Sequence, residues 1–289
     1  MSPLVPHTGT QLIFGCGYLG LRVARLWLAN GRRVAAVTRT NGNTLRSAGI
    51  EPITGDVCNP ESFRTLPAAA TVLYAVGMDR SAGKSMRDVY VSGLGHVLDT
   101  LPPCSRFVYV SSTSVYGQSN GEWVNEDSPT DPTEEAGKVV LEAEQLLRAK
   151  KPDAIILRCA GLYGPNRLLR KRPILNGEPL VGDADKWLNL VHITDAASVV
   201  LLAESHATPG ETYNIADGAP VSRSDFYTRL AELLHAPEPK FVHRAEQGAP
   251  NRRIDATKFR ALGWEPVFAS YREGLSAAVA ETTMLPPPT

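Results

Sequence analysis

The sequence predicts an α/β fold, a doubly wound parallel sheet followed by a smaller lobe, and three observations carry that reading. Short apolar runs alternate with longer stretches of helical period across the first 160 residues. The links between them are short, as in strand–helix–strand units joined by right-handed crossovers. A glycine-rich turn, "GCGYLG", stands directly between the first apolar run and the first helical stretch.

The elements follow in order. "QLIF" (Gln11 to Phe14) reads as a buried strand. The next segment has apolar residues at Leu19, Val23, Leu26, Trp27 and Leu28, with Gly31 as the stop of a helix. "RVAAVT" is the second strand, and "EPITGD" and "ATVLYAVG" are the third and fourth. "RDVYVSGLGHVLDTL" is helical and ends at Pro102-Pro103. "RFVYVSS" is the fifth strand, "PTDPTEEAGKVVLEAEQLL" the next helix, entered through Pro132-Thr133, and "DAIILRCA" the sixth strand. Beyond Ala160 the pattern loosens into long Gly-, Pro- and base-rich loops with a short helix. Helices then follow at Asp195 to Ser205, Ser222 to His235 and Tyr271 to Thr282, with a short strand at "TYNIA". The expected division is a dinucleotide-binding domain over 1–160 and a lobe over 161–289 that returns segments to the sheet, ending in a frayed "LPPPT".

A chain of 289 residues can bury a sizeable core. Its 30 Lys plus Arg balance 30 Asp plus Glu, so nothing points to electrostatic capture of nucleic acid or a membrane surface. Cys16, Cys58, Cys104 and Cys159 are far apart without a CxxC spacing. Neither a disulfide framework nor a metal site is expected, and a reducing compartment is the simpler setting. "MSPLVPHTGTQLIFG" lacks the charged segment and long apolar run of a signal peptide. No stretch reaches the ~18 apolar residues of a membrane helix. The protein reads as cytoplasmic.

"GCGYLG" is a GxGxxG pattern through Gly15, Gly17 and Gly20, placed where a strand hands over to a helix. Gly15 permits the tight turn, Gly17 lets a pyrophosphate approach the backbone, and Gly20 lets helix and strand pack closely. Tyr18 and Leu19 belong to the same cradle, where the helix N-terminus favours an anion. The null alternative is a glycine turn without a ligand. An NAD-selective site commonly has an acid at the end of the second strand. Thr38 and Arg39 stand there instead, and Arg39 can pair with a 2′-phosphate, so NADP is expected over NAD. A solvated Arg39 is the bland alternative. Asp56, followed by Val57, reads as an acceptor for the adenine amino group or as a turn residue before Pro60. Ala75 and Gly77 end the fourth strand with the small residues a nearby cofactor needs.

"YVSSTSVYG" (Tyr109 to Gly117) is more specific. With the glycine turn, the "GD" pair and the Lys138 helix, it resembles the extended short-chain dehydrogenase/reductase family, the NAD(P)-dependent sugar epimerases and dehydratases, in an atypical subgroup. "LRCAGLYGPNR", "NLVHITDAA", "GETYNIADG" and "DATKFRALGWEP" resemble that family's later landmarks, so the likeness covers nearly the whole chain. It implies a Rossmann domain with a small C-terminal substrate lobe, and a Ser/Thr, Tyr and Lys catalytic set. Ser112 matches the serine, with Ser111 beside it at the cofactor. Lys138 matches the lysine, with Glu142 one turn later fitting the usual sequence. The tyrosine belongs four residues before the lysine, where Glu134 stands. A glutamate beside a lysine is ionised and weakly basic unless desolvation raises its pKa. Thr113, Tyr116, Arg167 and Asn189 are the substrate candidates. Tyr163 and His192 read as core residues, Asp195 as an N-cap, and Arg170-Lys171-Arg172 as a solvated loop. Leu188 stands near where nucleotide-sugar enzymes of the family have an arginine, so a small carbonyl or hydroxyl compound is at least as fitting. The resemblance also implies a homodimer through Arg87 to Leu101 and Thr133 to Lys150. Two functions remain open: an enzyme transferring hydride with NADP or NAD, and a non-catalytic NAD(P)-binding sensor or scaffold that has lost the tyrosine.

Overall fold

The computed structural model describes residues 9–63, 65–242 and 249–284; the first eight residues, part of the signal-peptide reading, and the expected tail at 285–289 lie outside the described residues. The first half of the chain forms β1 (Thr10–Phe14), α1 (Gly20–Ala29), β2 (Val34–Thr38), α2 (Gly42–Ser47), β3 (Glu51–Thr54), β4 (Ala69–Tyr74), α3 (Gly93–Thr100), β5 (Arg106–Ser112), β6 (Glu122–Val124), α4 (Glu135–Lys150) and β7 (Ile155–Cys159). The second half forms β8 (Gly161–Tyr163), α5 (Lys171–Leu175), β9 (Leu180–Val181), β10 (Trp187–Leu188), β11 (Leu190–His192), α6 (Ile193–His206) and β12 (Thr212–Ile215). After these come β13 (Val221–Ser222), α7 (Arg223–Leu233), β14 (Phe241–Val242), β15 (Arg252–Ile254), α8 (Thr257–Arg260) and α9 (Tyr271–Met284).

Seven strands make one sheet in the order β12-β7-β5-β4-β1-β2-β3. The run from β3 through β2, β1 and β4 to β5 is parallel throughout. This is the Rossmann-type order, with the chain reversing direction across the sheet at β1 and β4. Because helices cover both faces, strand residues are sealed on both sides: Leu12, Ile13, Phe14, Ala35, Ala36, Val72, Leu73, Phe107 and Val108 are all buried. Each large apolar side chain so buried contributes about 1.5–3 kcal/mol.

The chain divides into two compact units. The first runs through Val115 and takes in Glu135–Arg158 and Ala197–Tyr213; the second holds Tyr116–Glu134, Cys159–Ala196 and the chain from Asn214 onward. The sequence places a boundary at residue 160, with later segments returning to the sheet; here the second unit also takes in Tyr116–Glu134, ahead of that boundary. The units interleave because α6 carries the chain back to the first unit, and because β6 pairs with β15, 130 residues further on by register, inside the second.

In the first unit the Tyr74 ring stacks against Phe14 at 6.0 Å and Tyr109 at 5.7 Å, across three neighbouring strands. A buried carboxylate ties three of its segments together: Glu204 accepts from Trp27 Nε1 at 3.0 Å, Arg32 Nη1 at 2.5 Å and Thr71 Oγ1 at 2.7 Å. A charge sealed in this way is tolerated only because every oxygen is paired. The helix expected over Arg87 to Leu101 contains a π turn, Asp88–Ser92, before α3.

The second unit builds its core from Tyr163, Leu168, Ile174, Leu190, Phe226, Leu230, Tyr271 and Leu275. Its sheets have two strands each: β8 with β11, β9 with β14, β10 with β13 and β6 with β15. The stretch expected as loops with one helix therefore holds α5 and four very short strands. Arg170 is left-handed at φ 59°, and Lys171 and Arg172 open α5 rather than lying in a loop.

Candidate functional site

The glycine turn closes the carboxyl end of β1, and each glycine has a separate reason. Gly15 has φ 88°, and a Cβ there would run into the Ala75 carbonyl. A Cβ on Gly20 would strike the Gly15 carbonyl. Gly17 is exposed, and a Cβ there would meet nothing within 4 Å. The first and third glycines are thus demanded by the chain's own backbone, and the second keeps the mouth of the turn open. No side chain caps the N-terminus of α1, and no acid lies in its first turn. An uncapped helix start with an open glycine approach fits a dinucleotide pyrophosphate. Tyr18 lies in this turn with Arg22 over its ring, 4.4 Å from the centroid. Leu19 is buried and anchors the helix start. Ala75 continues the sheet, its N–H on Phe14 O at 2.8 Å, and Gly77 is exposed just beyond. Burial pushes the Cys16 thiol up to about 11, so it is no nucleophile at neutral pH.

Asp56 holds a turn through its Oδ1, which accepts from the Cys58 N–H at 2.9 Å. The Val57 carbonyl lies 2.9 Å from His96 Nδ1. Arg39 does not stand alone at the end of β2. Its Nη2 is 2.6 Å from Asp79 Oδ2, an acid from the segment after β4. The end of β2 itself has Thr38 and Arg39 in place of an acid, and the acid that meets Arg39 comes from beyond β4.

Ser112 ends β5 and is half-buried, its Oγ accepting from the Ser114 N–H at 3.1 Å. Ser111 turns the other way, as alternation along a strand requires. Expected at the cofactor, it is instead buried and donates its hydroxyl to Glu144 Oε1 at 2.5 Å. Glu144 also receives Arg158 from β7, Nε at 3.0 Å and Nη2 at 2.7 Å. On the same helix Lys138 is exposed, and Glu142, two residues before Glu144, lies outside on Arg87 at 2.5 Å. Thr113 is buried in the short turn after β5.

The remaining candidates lie in the second unit. Tyr116 is sealed, and its hydroxyl donates to Asn214 Oδ1 at 2.9 Å, so it braces the unit's interior instead of facing a substrate. Asn189 is likewise committed: Nδ2 donates to Arg252 O at 2.8 Å and Oδ1 accepts from Ile254 N at 2.7 Å, a side chain acting as a strand partner for β15. Arg167 is exposed in a turn whose N–H bonds Gly164 O at 2.9 Å. Glu134 is exposed, and its charge acts on Arg252, whose guanidinium burial holds below its ordinary value while Glu134 opposes that fall. Asp195 is not an N-cap. It lies in the first turn of α6, and its carboxylate accepts from the Val267 and Phe268 N–H groups at 2.6 Å and 3.1 Å. His192 is buried against the Tyr163 and Phe268 rings, at 5.3 Å and 4.3 Å. Among the described residues no cluster of His, Cys, Asp or Glu could hold a metal ion, and no helix is long and apolar enough to cross a membrane.

The model of the NAD dependent epimerase/dehydratase family matches residues 12–216. The chain belongs to that family. This epimerase/dehydratase family member is 29% identical over 270 residues to protein YeeZ of Escherichia coli K12, covering 88% of this chain and 94% of the relative. A Methylobacillus flagellatus structure carrying the same family designation is 30% identical with a TM-score of 0.75, covering 96% of this chain and 99% of the other. A dTDP-glucose 4,6-dehydratase from Streptomyces venezuelae, solved with NAD and TYD bound, shares the fold at a TM-score of 0.80 and 22% identity, covering 95% and 97%.

Two groups near the expected site escaped the sequence. Asp79 had one local signal, the "DRS" spacing of a side-chain-capped turn. Arg252 had none, because its environment is assembled from β15 and the segment around Glu134.

Proposed function

We propose that this family member is an NAD(P)-dependent oxidoreductase or epimerase/dehydratase-like enzyme, cytoplasmic, acting on a small carbonyl, hydroxyl or sugar-derived substrate. The observation that carries the reading is the open Gly17 between two glycines that the backbone itself demands. Bound NAD(P) would supply the hydride acceptor or donor. The Gly15–Gly20 turn and the start of α1 hold the pyrophosphate, with Ala75 and Gly77 leaving room beside it. Ser112 polarises the substrate oxygen, Lys138 grips ribose hydroxyls, and Glu134 or water moves the proton. The sugar-nucleotide substrates of structural neighbours support a sugar-derived compound as one option. Four cysteines, all free, support a reducing compartment.

One observation favours the second reading, a cofactor-binding protein without tyrosine–lysine catalysis. The α4 glutamate bonded to the strands, through Ser111 and Arg158, is Glu144, not Glu142. If the family's glutamate is the one fixed by the core, the lysine and tyrosine places fall at Val140 and Ala136, and neither residue can do the chemistry. Titrating NADH and NADPH calorimetrically into the wild type and Lys138→Ala separates the two. Weaker binding in the variant supports the enzyme's lysine at 138. Unchanged binding moves the register to Val140 and leaves the sensor or scaffold. No binding to the wild type removes both.

A further inference from the structure

We propose that Asp79 determines which nicotinamide dinucleotide this protein takes, by supplying from the β4 side the carboxylate that NAD sites commonly carry at the end of β2. The inference rests on the cofactor reading above and deepens it. In the sheet, β1 lies between β2 and β4. The bond from Arg39, just after β2, to Asp79, beyond β4, therefore reaches across the end of β1 where the glycine turn begins.

The acid is held in place. Its Oδ1 accepts from the Ser81 N–H at 3.0 Å and the Ser81 hydroxyl at 2.6 Å, and its Oδ2 takes Arg39 Nη2 at 2.6 Å. One residue earlier the Met78 N–H donates to Tyr90 Oη at 3.1 Å, which ties the loop to the π turn. These hydrogen bonds draw the carboxyl down to about 2, so it is charged at any working pH. Both partners stay accessible, at 45% and 44% exposure, so the pair stands where a ligand can meet it.

The charges around it decide the direction. Arg39 is neutralised by Asp79. Lys84 is a second cation of the same neighbourhood, since it and Arg39 both act on Cys58. Asp88 and Asp56 act on Cys58 as well, so the surroundings hold both signs. A fixed carboxylate accepts a hydrogen bond from a ribose 2′-hydroxyl and repels a 2′-phosphate. Removing its charge would leave Arg39 and Lys84 to receive the phosphate. A unit charge a few ångströms from a phosphate in high dielectric changes affinity by about tenfold.

The test is fluorescence titration of NADH and NADPH into the wild type, Asp79→Asn and Asp79→Asn/Arg39→Ala, with thermal melts to show that these exposed changes leave the fold intact. The wild type is expected to bind NADH more tightly. Asp79→Asn is expected to move the preference about tenfold toward NADPH, with NADH affinity kept within about threefold, and the added Arg39→Ala to cancel the gain. NADH binding with an unmoved ratio overturns the Asp79 assignment alone. A wild type that binds neither dinucleotide overturns the cofactor reading and this inference together.

Discussion

Replacing Asp217 by Asn should flatten the pH dependence of stability and reverse the balance between mutant and wild type in mild alkali. Asp217 is buried; its Oδ1 accepts from the Ala219 N–H at 3.0 Å, and its Oδ2 has no hydrogen-bond partner among the described residues. Burial, aided by the Asp195 charge, pushes its pKa from 3.8 up to about 7, against the pull of Ala219 and Arg260. The unfolded chain releases this proton near 3.8 and the native chain near 7, so between those values the native state holds more protons. Stability from this group is complete below the lower value and declines as pH rises to the upper one. At ~1.36 kcal/mol per unit the whole loss is about 4 kcal/mol, and about 3 kcal/mol of it falls between pH 5 and pH 8. Asparagine keeps the Oδ1 acceptor and stays neutral, so its advantage over the wild type should grow by that amount across the interval. Urea unfolding of both proteins at the two pH values reads it directly, with m unchanged. Parallel pH profiles would show that Asp217 is solvated in the native state and refute the reasoning.

Four further outcomes follow from the structure. Gly15→Ala should lower stability by at least ~2 kcal/mol, from the left-handed backbone and the overlap with Ala75. Gly17→Ala should leave the melting temperature unchanged while weakening dinucleotide binding, and melts with and without NADH separate the two. Glu144→Ala should cost about 3–5 kcal/mol by stranding the Arg158 charge, and Glu144→Gln/Arg158→Met should cost less than the single change, as a denaturation cycle would report. Lys138→Ala should leave the unfolding midpoint unaltered because the side chain is exposed, whatever it does to binding.

What was legible in the sequence was what has a period. Six of the sheet strands were apparent as apolar runs bounded by turn residues, and Arg106–Ser112 was placed to the residue. Strands of two or three residues, such as Trp187–Leu188, carry no alternation and could not be seen. The glycine turn was readable because each glycine answers to local backbone geometry. Position along a helix was less so. The resemblance placed Glu142 one turn after Lys138, and the burial that sets Glu144 apart from it was not readable from the spacing. Asp195 was misjudged because α6 begins two residues earlier than its polar start suggests. The partners of Asp79 and Tyr116 were beyond reach, since Arg39 and Asn214 lie 40 and 98 residues away.

The interleaving of the two units has a consequence for synthesis. Glu204 receives the indole of Trp27, the guanidinium of Arg32 and the hydroxyl of Thr71, and it lies in the last segment of the first unit to be made. Until the ribosome has passed residue 215, the emerging sheet lacks its complete β12 edge, and until it has passed Glu204 those three donors lack their acceptor. Domains usually fold from the N-terminus as they are translated. Here the first unit cannot close until its last segment, Ala197–Tyr213, has been made, and a truncation at residue 160 would release an open sheet edge rather than the closed unit.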